Sequence, residues 1–538
     1  MEATAYLHNP RINKGTAFTA EERSRLGLKG LLPPVIEDIE QQVKRVLTHL
    51  ALKPNDLERY IYLVELLDRN ETLFYKLLMS DPAYFIPIVY DPTVGEACLK
   101  FSDIYRRNNG MYITIRDRGN VKKLLGQWPE KDIRFICVST GGRILGLGDL
   151  GANGMGIPLG KLQLYTVCAG VPPDKLLPLL LDCGTDNEKL LNDPLYLGIR
   201  QRRPGAEELD SFVQEFVNAV QELFPACCIH FEDWKGTDAI RLLNRYKNKV
   251  CCYNDDIQGT AGVAVAGLIG AMNITGEKLS DQHVLVFGAG SAGTGIANMI
   301  AAAMRIEGLS EAAANEQISL FDINGLLVKS RNDLSGTQKV YAREAVPTKN
   351  LLEAISTLKP SVLIGVSTMG KAFTKEVIEA MSRLNKRPII FALSNPTEHA
   401  ECTAKEAYQW SGGQAIFAAG IPFDTVTIEG KTFTPGQANN FYLFPGVSLG
   451  IYAARPKFVT DELWIEAAHA LAGLVTQEER NKGMVFPPQS AIFKISTMVA
   501  IRVVETTVKA GLTKMDANVD VQALVRDLQY QPIYHTAE

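Results

Sequence analysis

The sequence predicts an α/β protein, and three textures along its 538 residues predict it. Apolar residues recur at helical spacing over the first hundred positions, short apolar runs then alternate with helical patterns, and from His283 the alternation restarts behind a glycine-rich turn. In the first texture Ile39, Val43, Val46, Leu47 and Leu50 share a helical face, and Leu57, Ile61, Val64 and Leu67 repeat it. Residues 1–108 are therefore expected to form a helical N-terminal domain. In the second, the runs YITI, FICV, RILGL, LLPLLL and CCIHF read as strands buried on both faces of a parallel sheet. They place an α/β substrate domain at 109–254, completed by amphipathic helices at 440–512. In the third, VLVF, QISLFD, SVLIGV, PIIFAL and AIFAAG alternate with helices over 255–439, as in a Rossmann-type fold. A polar tail, 513–538, carries Tyr530 and Tyr534.

Composition narrows the partners. Lys plus Arg is 56 and Asp plus Glu is 60, a net charge of −4, which is not the footprint of a nucleic-acid binder. No apolar run approaches the roughly 18 residues that span a bilayer, and MEATAYLHNP lacks the charged-then-apolar pattern of a secretory signal. The expectation is an intracellular protein with neither nucleic acid nor membrane as partner. Nine cysteines, with adjacent pairs at 227/228 and 251/252 and no C-x-x-C, read as reduced thiols. The N-x-T triplets at Asn70 and Asn273 are then chance matches.

Two stretches match G-x-G-x-x-G. Gly288-Ala289-Gly290-Ser291-Ala292-Gly293 follows the strand VLVF and runs into a helix-forming stretch, so a pyrophosphate could sit on backbone N–H groups at the helix N-terminus. The match at Gly146, Gly148 and Gly151 leads into ANGMGIP, which is expected to make a tight active-site loop and no helix before Pro158. QISLF ends in Asp322, placed to meet the adenosine ribose, although the 34 residues from Gly288 exceed the usual spacing of about 20. Asp322 alone points to NAD. Lys329, Arg331 and Lys339 follow, and they supply the cations that the 2′-phosphate of NADP needs, unless they form only a solvated basic loop.

Acids gather at two predicted strand ends, Glu232-Asp233 after His230-Phe231 and Asp255-Asp256 after Tyr253-Asn254. Carboxylates collected there repel unless a cation neutralises them, and oxygen donors suit Mg²⁺ or Mn²⁺. Capping and surface roles are the plainer alternative for any one of them. The histidines show no zinc-ligand spacing. Lys161, opening KLQLYTVCAG behind the glycine-rich loop, becomes a general base if burial or neighbouring positive charge lowers its pKa, and is otherwise a solvated helix lysine.

With these pieces placed, the chain resembles the malic enzymes over essentially its whole length. The stretches that carry the resemblance include NKGTAFT, GLLPP, DRNETLFYKLL, FIPIVYDPTVG, RILGLGDLGANGMGIPLGKLQLYT, DPLYLGIRQRR, FEDW, NDDIQGTAGVAVAGL, RPIIFALSNPT, FTPGQANN and FPGVSLG. The resemblance implies divalent-metal-dependent oxidative decarboxylation of (S)-malate to pyruvate and CO2, with NADP, or alternatively NAD, as oxidant. It implies Tyr90 as general acid, Lys161 as general base, and Asp255 as a catalytic acid beside the metal. Glu232, Asp233 and Asp256 become the metal ligands. Arg143, Asn395, Asn439 and Asn440 hold the substrate carboxylates, with the order of importance of the paired asparagines open. Gly288, Gly290, Ser291, Ala292, Gly293, Asp322, Arg331, Lys339 and Asn395 contact the cofactor. GAGSAG stands where many relatives have GAGEAA, and the loop around Lys339 aligns to within one residue. Arg45 and Arg69 resemble a regulatory anion site of some relatives.

The family precedent implies a homotetramer, a dimer of dimers. Because the resemblance begins within the first dozen residues, a cytosolic location is expected, with the mitochondrial mature form as alternative. Two other functions compete. A malolactic-type enzyme would yield lactate with NAD retained, and a non-catalytic nucleotide-binding protein would bind without turnover and have no use for a base, an acid and a metal cluster together.

Overall fold

The computed structural model describes residues 3–536. The chain divides into two compact units, one formed by the residues up to Trp234 together with those from Arg526, the other by Lys235–Val525. The compact units divide elsewhere than the sequence-based boundaries at 108, 254 and 439. The helices Phe444–Ala454, Asp461–Gly473 and Ile492–Lys509 pack on one another, and Asp461–Gly473 packs on Thr260–Thr275, so residues 440–512 group with the second unit.

The first unit opens with helices set by side-chain caps. Asp38 accepts from Gln41 N to start Ile39–Ala51, Asn55 caps Asp56–Arg69, and Asn70 caps Glu71–Ser80. The face predicted for the first of these holds except at Leu47, which is exposed. In the second, Leu57, Tyr60, Leu63 and Leu66 are the deeply buried residues, whereas Ile61, Val64 and Leu67 are half-buried. The apolar surface wraps most of that helix, and neighbouring helices cover it about one residue round from the expected stripe. Behind the helices lies a parallel sheet. Its strands are β1 (Met111–Thr114), β2 (Phe135–Ser139), β3 (Leu176–Asp182) and β4 (Cys228–Phe231), in the order β1-β3-β2-β4. β2 and β4 are buried at every position, as continuous apolar runs require.

The tail closes this unit. Tyr534 Oη accepts from Asn70 Nδ2 at 2.7 Å and donates to Gln42 Oε1 at 2.6 Å. Tyr530 N donates to Gly170 O at 2.7 Å, and its ring meets Tyr75 edge-on at 5.8 Å. Asn70 is thereby buried and engaged, which removes it as a glycan acceptor.

Beside this contact, burial pushes the Glu71 carboxyl up to about 7, against the opposing charge of Arg11. A carboxyl whose folded pKa is raised contributes stability below its unfolded value, near 4.3, that is lost as pH rises through about 7. We expect the melting temperature of wild type relative to Glu71→Gln to fall across that window. Calorimetry at several pH values checks this, and a pH-independent difference would refute it.

The second unit begins with the helix Gly236–Tyr246 and strand β5 (Cys252–Asn254) and contains a seven-stranded sheet. Its further strands are β6 (Val284–Phe287), β7 (Ile318–Asp322), β8 (Gly325–Leu326), β9 (Val362–Gly365), β10 (Ile389–Ala392) and β11 (Ile416–Ala419). After these come β12 (Val426–Ile428), β13 (Lys431–Phe433) and β14 (Gly436–Gln437). The order is β14-β11-β10-β9-β6-β7-β8, parallel except for β8, while β12 and β13 form a separate hairpin. The chain leaves β6 toward β7 on one side and returns with β9 on the other. That reversal opens a crevice at the carboxyl ends of β6 and β9, where α/β sheets bind ligands.

One expectation needs correction. Asp255–Thr275 is 21 residues with a mean hydropathy of 1.4, long and apolar enough by composition to cross a membrane. In the fold 83% of that window is buried, because the helix forms the centre of the second unit and is apolar all round. The nine cysteines are all free thiols, eight of them buried.

Candidate active site

The first unit assembles a buried cluster from three segments. Lys161 lies inside the helix Gly156–Ala169 and is 2% exposed, so it is not a solvated helix lysine. That helix starts before Pro158, contrary to expectation. Proline stands at its third position, where the missing N–H has no intrahelical partner to lose. The loop ahead of it makes one 3-10 segment, Gly151–Met155, and then the helix proper.

Lys161 Nζ sits 3.0 Å from Glu232 Oε1, just past the end of β4, and 5.4 Å from the centre of the Tyr90 ring. Tyr90 is buried at the end of the helix Pro82–Val89. It can lie against the lysine helix because Gly160 has no side chain: a Cβ there would come within 2.8 Å of Tyr90 Cδ2. Asp91, next in sequence, has its carboxyl raised by burial, with the Lys161 charge opposing.

Asp233 adopts φ +54°, a left-handed conformation that costs about 1–3 kcal/mol and recurs at functional sites. Its Oδ1 accepts from Leu145 N at 3.4 Å and its carbonyl from Arg143 N at 3.3 Å, which ties it to the loop bearing Arg143. Arg143 is exposed on that loop. Glu232 and Asp233 are only 3% and 5% exposed, so they are not the surface acids of the plainer alternative.

In the second unit Asp255 is fully buried and opens a single π turn, Asp255–Gly259, a rare geometry enriched at functional sites. Asp256 is half-buried beside it. Asn440 Nδ2 donates to Asp255 Oδ2 at 3.0 Å and reaches Thr260 Oγ1 at 3.1 Å. Asn439 instead caps its own turn, accepting from Phe441 N at 3.2 Å. The paired asparagines thus have different tasks. Carboxylate oxygens suit a hard divalent cation, and Glu232 and Asp233 are both buried where a cation would offset their charge.

The turn after β6 fits a dinucleotide. Gly288 has φ +123°, and a Cβ on Gly293 would lie 1.8 Å from Gly288 O, so both must be glycine for the turn to close on its helix. A Cβ on Gly290 would meet nothing within 4 Å, which leaves open the approach that a pyrophosphate takes. Ser291 and Ala292 begin the helix Ser291–Ile306, whose N-cap Gly290 supplies no side-chain acceptor to its N–H groups.

Asp322 ends β7 as expected, and Arg331 binds it bidentately at 2.8 Å for each bond while also pairing with Asp333. The hydrogen bonds that it donates to Asp333 and Asp322 hold the Arg331 guanidinium well above its usual range. Lys329 pairs with Glu344 at 3.0 Å, and Lys339 ends the short helix Gly336–Lys339. Asn395 is exposed after β10.

Sequence reasoning missed three supports. Arg203 binds Asp149 through two bonds of 2.8 Å, pinning the glycine-rich loop; Asp149 in GLGDLG followed by RQRR was the available signal. Burial raises the Asp149 carboxyl, but Arg203 outweighs it and holds the group below its usual range. Glu401, fully buried, accepts from Ser394 Oγ at 2.5 Å and Ser367 N at 3.2 Å, joining the loops that follow β9 and β10. His230 contacts Glu232, and nothing in its local sequence marked it. Arg45 pairs with Glu37, and Arg69 Nε donates to Glu65 O at 3.3 Å.

Fold and clusters together define a dinucleotide-dependent oxidoreductase. Comparison with known proteins narrows this. Residues 67–247 match the model of the malic enzyme N-terminal domain, and residues 257–508 that of the malic enzyme NAD-binding domain. An NADP-dependent malic enzyme of Anas platyrhynchos is 48% identical over 98% of this chain and 96% of its own. A mitochondrial NADP-dependent malic enzyme of Homo sapiens is 46% identical over 98% and 88%. The crystal structure of Entamoeba histolytica malic enzyme has a TM-score of 0.57 at 23% identity, covering 94% of this chain and 90% of that one, a likeness of fold. This chain belongs to the malic enzyme family.

Proposed function

We infer that the chain catalyses the oxidative decarboxylation of (S)-malate to pyruvate and CO2 with reduction of NADP. The observation that carries this is the buried Lys161, in contact with Glu232 on one side and the Tyr90 ring on the other. Arg143, Asn395, Asn439 and Asn440 orient the substrate carboxylates. Lys161 takes the proton of the C2 hydroxyl while the hydride leaves C2, giving oxaloacetate. The C3–carboxylate bond then breaks, its electron pair remaining on the enolate as CO2 departs. Tyr90 delivers a proton to C3 to give pyruvate, and Lys161 returns its proton to Tyr90. Asp255, held by Asn440, is a positioning acid in this reading.

On the family resemblance, Glu232, Asp233 and Asp256 would hold a divalent cation, Mg²⁺ or Mn²⁺, whose chemistry there would be electron withdrawal during the decarboxylation. The Gly288–Gly293 turn would hold NADP, whose chemistry would be that of hydride acceptor. With L-malate, Mn²⁺ and NADP, absorbance at 340 nm should rise and EDTA should abolish the rise. A flat trace from folded protein that binds metal and nucleotide would sink the reading, and lactate formation would favour the malolactic alternative.

The preference for NADP over NAD rests on the cations near Asp322. Arg331 is committed to Asp322 and Asp333, which leaves Lys339 as the group to test. Lys339→Gln should lower kcat/KM for NADP about 10-fold or more, the worth of one charge-assisted hydrogen bond, with little change for NAD. Equal efficiency with both cofactors in wild type would count against it.

The family resemblance supports a homotetramer, which light scattering tests. It also supports a cytosolic location, with the mitochondrion as alternative, and cell fractionation separates the two.

A further inference from the structure

The side of Glu232 turned toward His230 carries one more conclusion. His230 is fully buried two residues earlier, on the same face of the chain as it leaves β4. Its Nε2 lies 2.6 Å from Glu232 Oε2, and its Nδ1 lies 2.7 Å from the hydroxyl of Tyr165. Tyr165 stands four residues after Lys161 on the helix Gly156–Ala169, so both side chains leave the same helical face. Lys161 in turn holds Glu232 Oε1 at 3.0 Å.

The four side chains form a continuous chain of three contacts, with lysine and tyrosine from one helix, histidine and glutamate from one strand end. A carboxylate only accepts, so Nε2 donates its proton to Glu232, which leaves Nδ1 able to accept from the Tyr165 hydroxyl. Phe135 packs edge-on to Tyr165 at 5.2 Å and steadies the phenol ring.

We propose that His230 and Tyr165 are positioning residues that hold the Glu232 carboxylate in the one orientation in which it serves both Lys161 and the divalent cation. This rests on the reading of Glu232 as a metal ligand. Groups that orient a ligand from behind typically change metal affinity 10- to 100-fold when removed. A histidine that merely filled space would not.

The test is Mn²⁺ titration calorimetry on the full chain, wild type against His230→Leu, His230→Gln, Tyr165→Phe and Glu232→Gln, with NADP affinity and thermal melting alongside. His230→Leu should weaken Mn²⁺ about 10- to 100-fold with NADP affinity unchanged. His230→Gln, which keeps an N–H donor, should remain within a few-fold of wild type, and Tyr165→Phe should fall between. Folded His230→Leu with wild-type Mn²⁺ affinity, or His230→Gln as weak as His230→Leu, overturns the proposal. If His230→Leu does not fold, Tyr165→Phe decides, and wild-type affinity there overturns it. Should Glu232→Gln itself bind Mn²⁺ normally, the ligand reading fails and the proposal with it. Loss in Glu232→Gln without loss in His230→Leu overturns the proposal alone.

Discussion

Lys161→Ala should lower kcat about 10²- to 10⁴-fold, the range that a positioned general base contributes. The residue is 2% exposed and paired at 3.0 Å with a carboxylate that is itself 3% exposed. Its removal deletes the proton acceptor and strands the Glu232 charge in the interior, where breaking a buried pair costs about 3–5 kcal/mol. The variant should therefore melt at lower temperature as well as turn over slowly. Single-turnover absorbance at 340 nm, with saturating malate and metal, separates the two effects. NADP affinity should be untouched, because Lys161 has no place in the glycine turn. A kcat within tenfold of wild type, in protein shown to be folded, would remove Lys161 from the mechanism.

The second large effect concerns two glycines three residues apart that should fail differently. Gly293→Ala drives a Cβ to 1.8 Å from the carbonyl oxygen of Gly288, and backbone on both sides must move. We expect lower thermal stability and NADP binding weakened by about two orders of magnitude, as when the N–H groups cradling a pyrophosphate are displaced. Gly290→Ala meets nothing within 4 Å in the protein. Its stability should stay within about 1 kcal/mol of wild type, while binding is still lost, since the new methyl occupies the approach of the phosphates. Calorimetry and fluorescence titration on both variants test the contrast. Normal binding by Gly290→Ala would place the pyrophosphate elsewhere.

Much of this was legible in the sequence because periodicity and special turns report local geometry. VLVF followed by GAGSAG forecast β6, its turn and its helix, since glycine at the first and last positions is a backbone requirement. FICV and CCIHF forecast β2 and β4, since a strand covered on both faces shows no alternation. Other features depend on packing at a distance. Leu47 lies on the right helical face and is exposed all the same. Whether Lys161 is solvated or buried depends on what covers its helix, and the decisive neighbours, Tyr90 and Glu232, are 71 residues away on either side. His230 and Tyr165 could not be matched from spacing, because a 65-residue separation between two hydrogen-bonding side chains leaves no periodic trace. Arg331 was expected to serve a 2′-phosphate, and its bonds to Asp322 and Asp333 depend on how the loop folds back on β7.

The contact of Tyr534 with Asn70 and Gln42 spans 464 and 492 residues and sets an order of events during synthesis. Lys235–Val525 is an uninterrupted stretch placed inside the sequence of the other unit. At translation rates of about 5–20 residues per second, Trp234 precedes Arg526 by about 15–60 seconds. During that interval the earlier unit has its strands β1 to β4 but lacks the tyrosines that cover Tyr75 and satisfy Asn70. The unit made in the middle of translation has all its residues first, and the unit begun first is finished last.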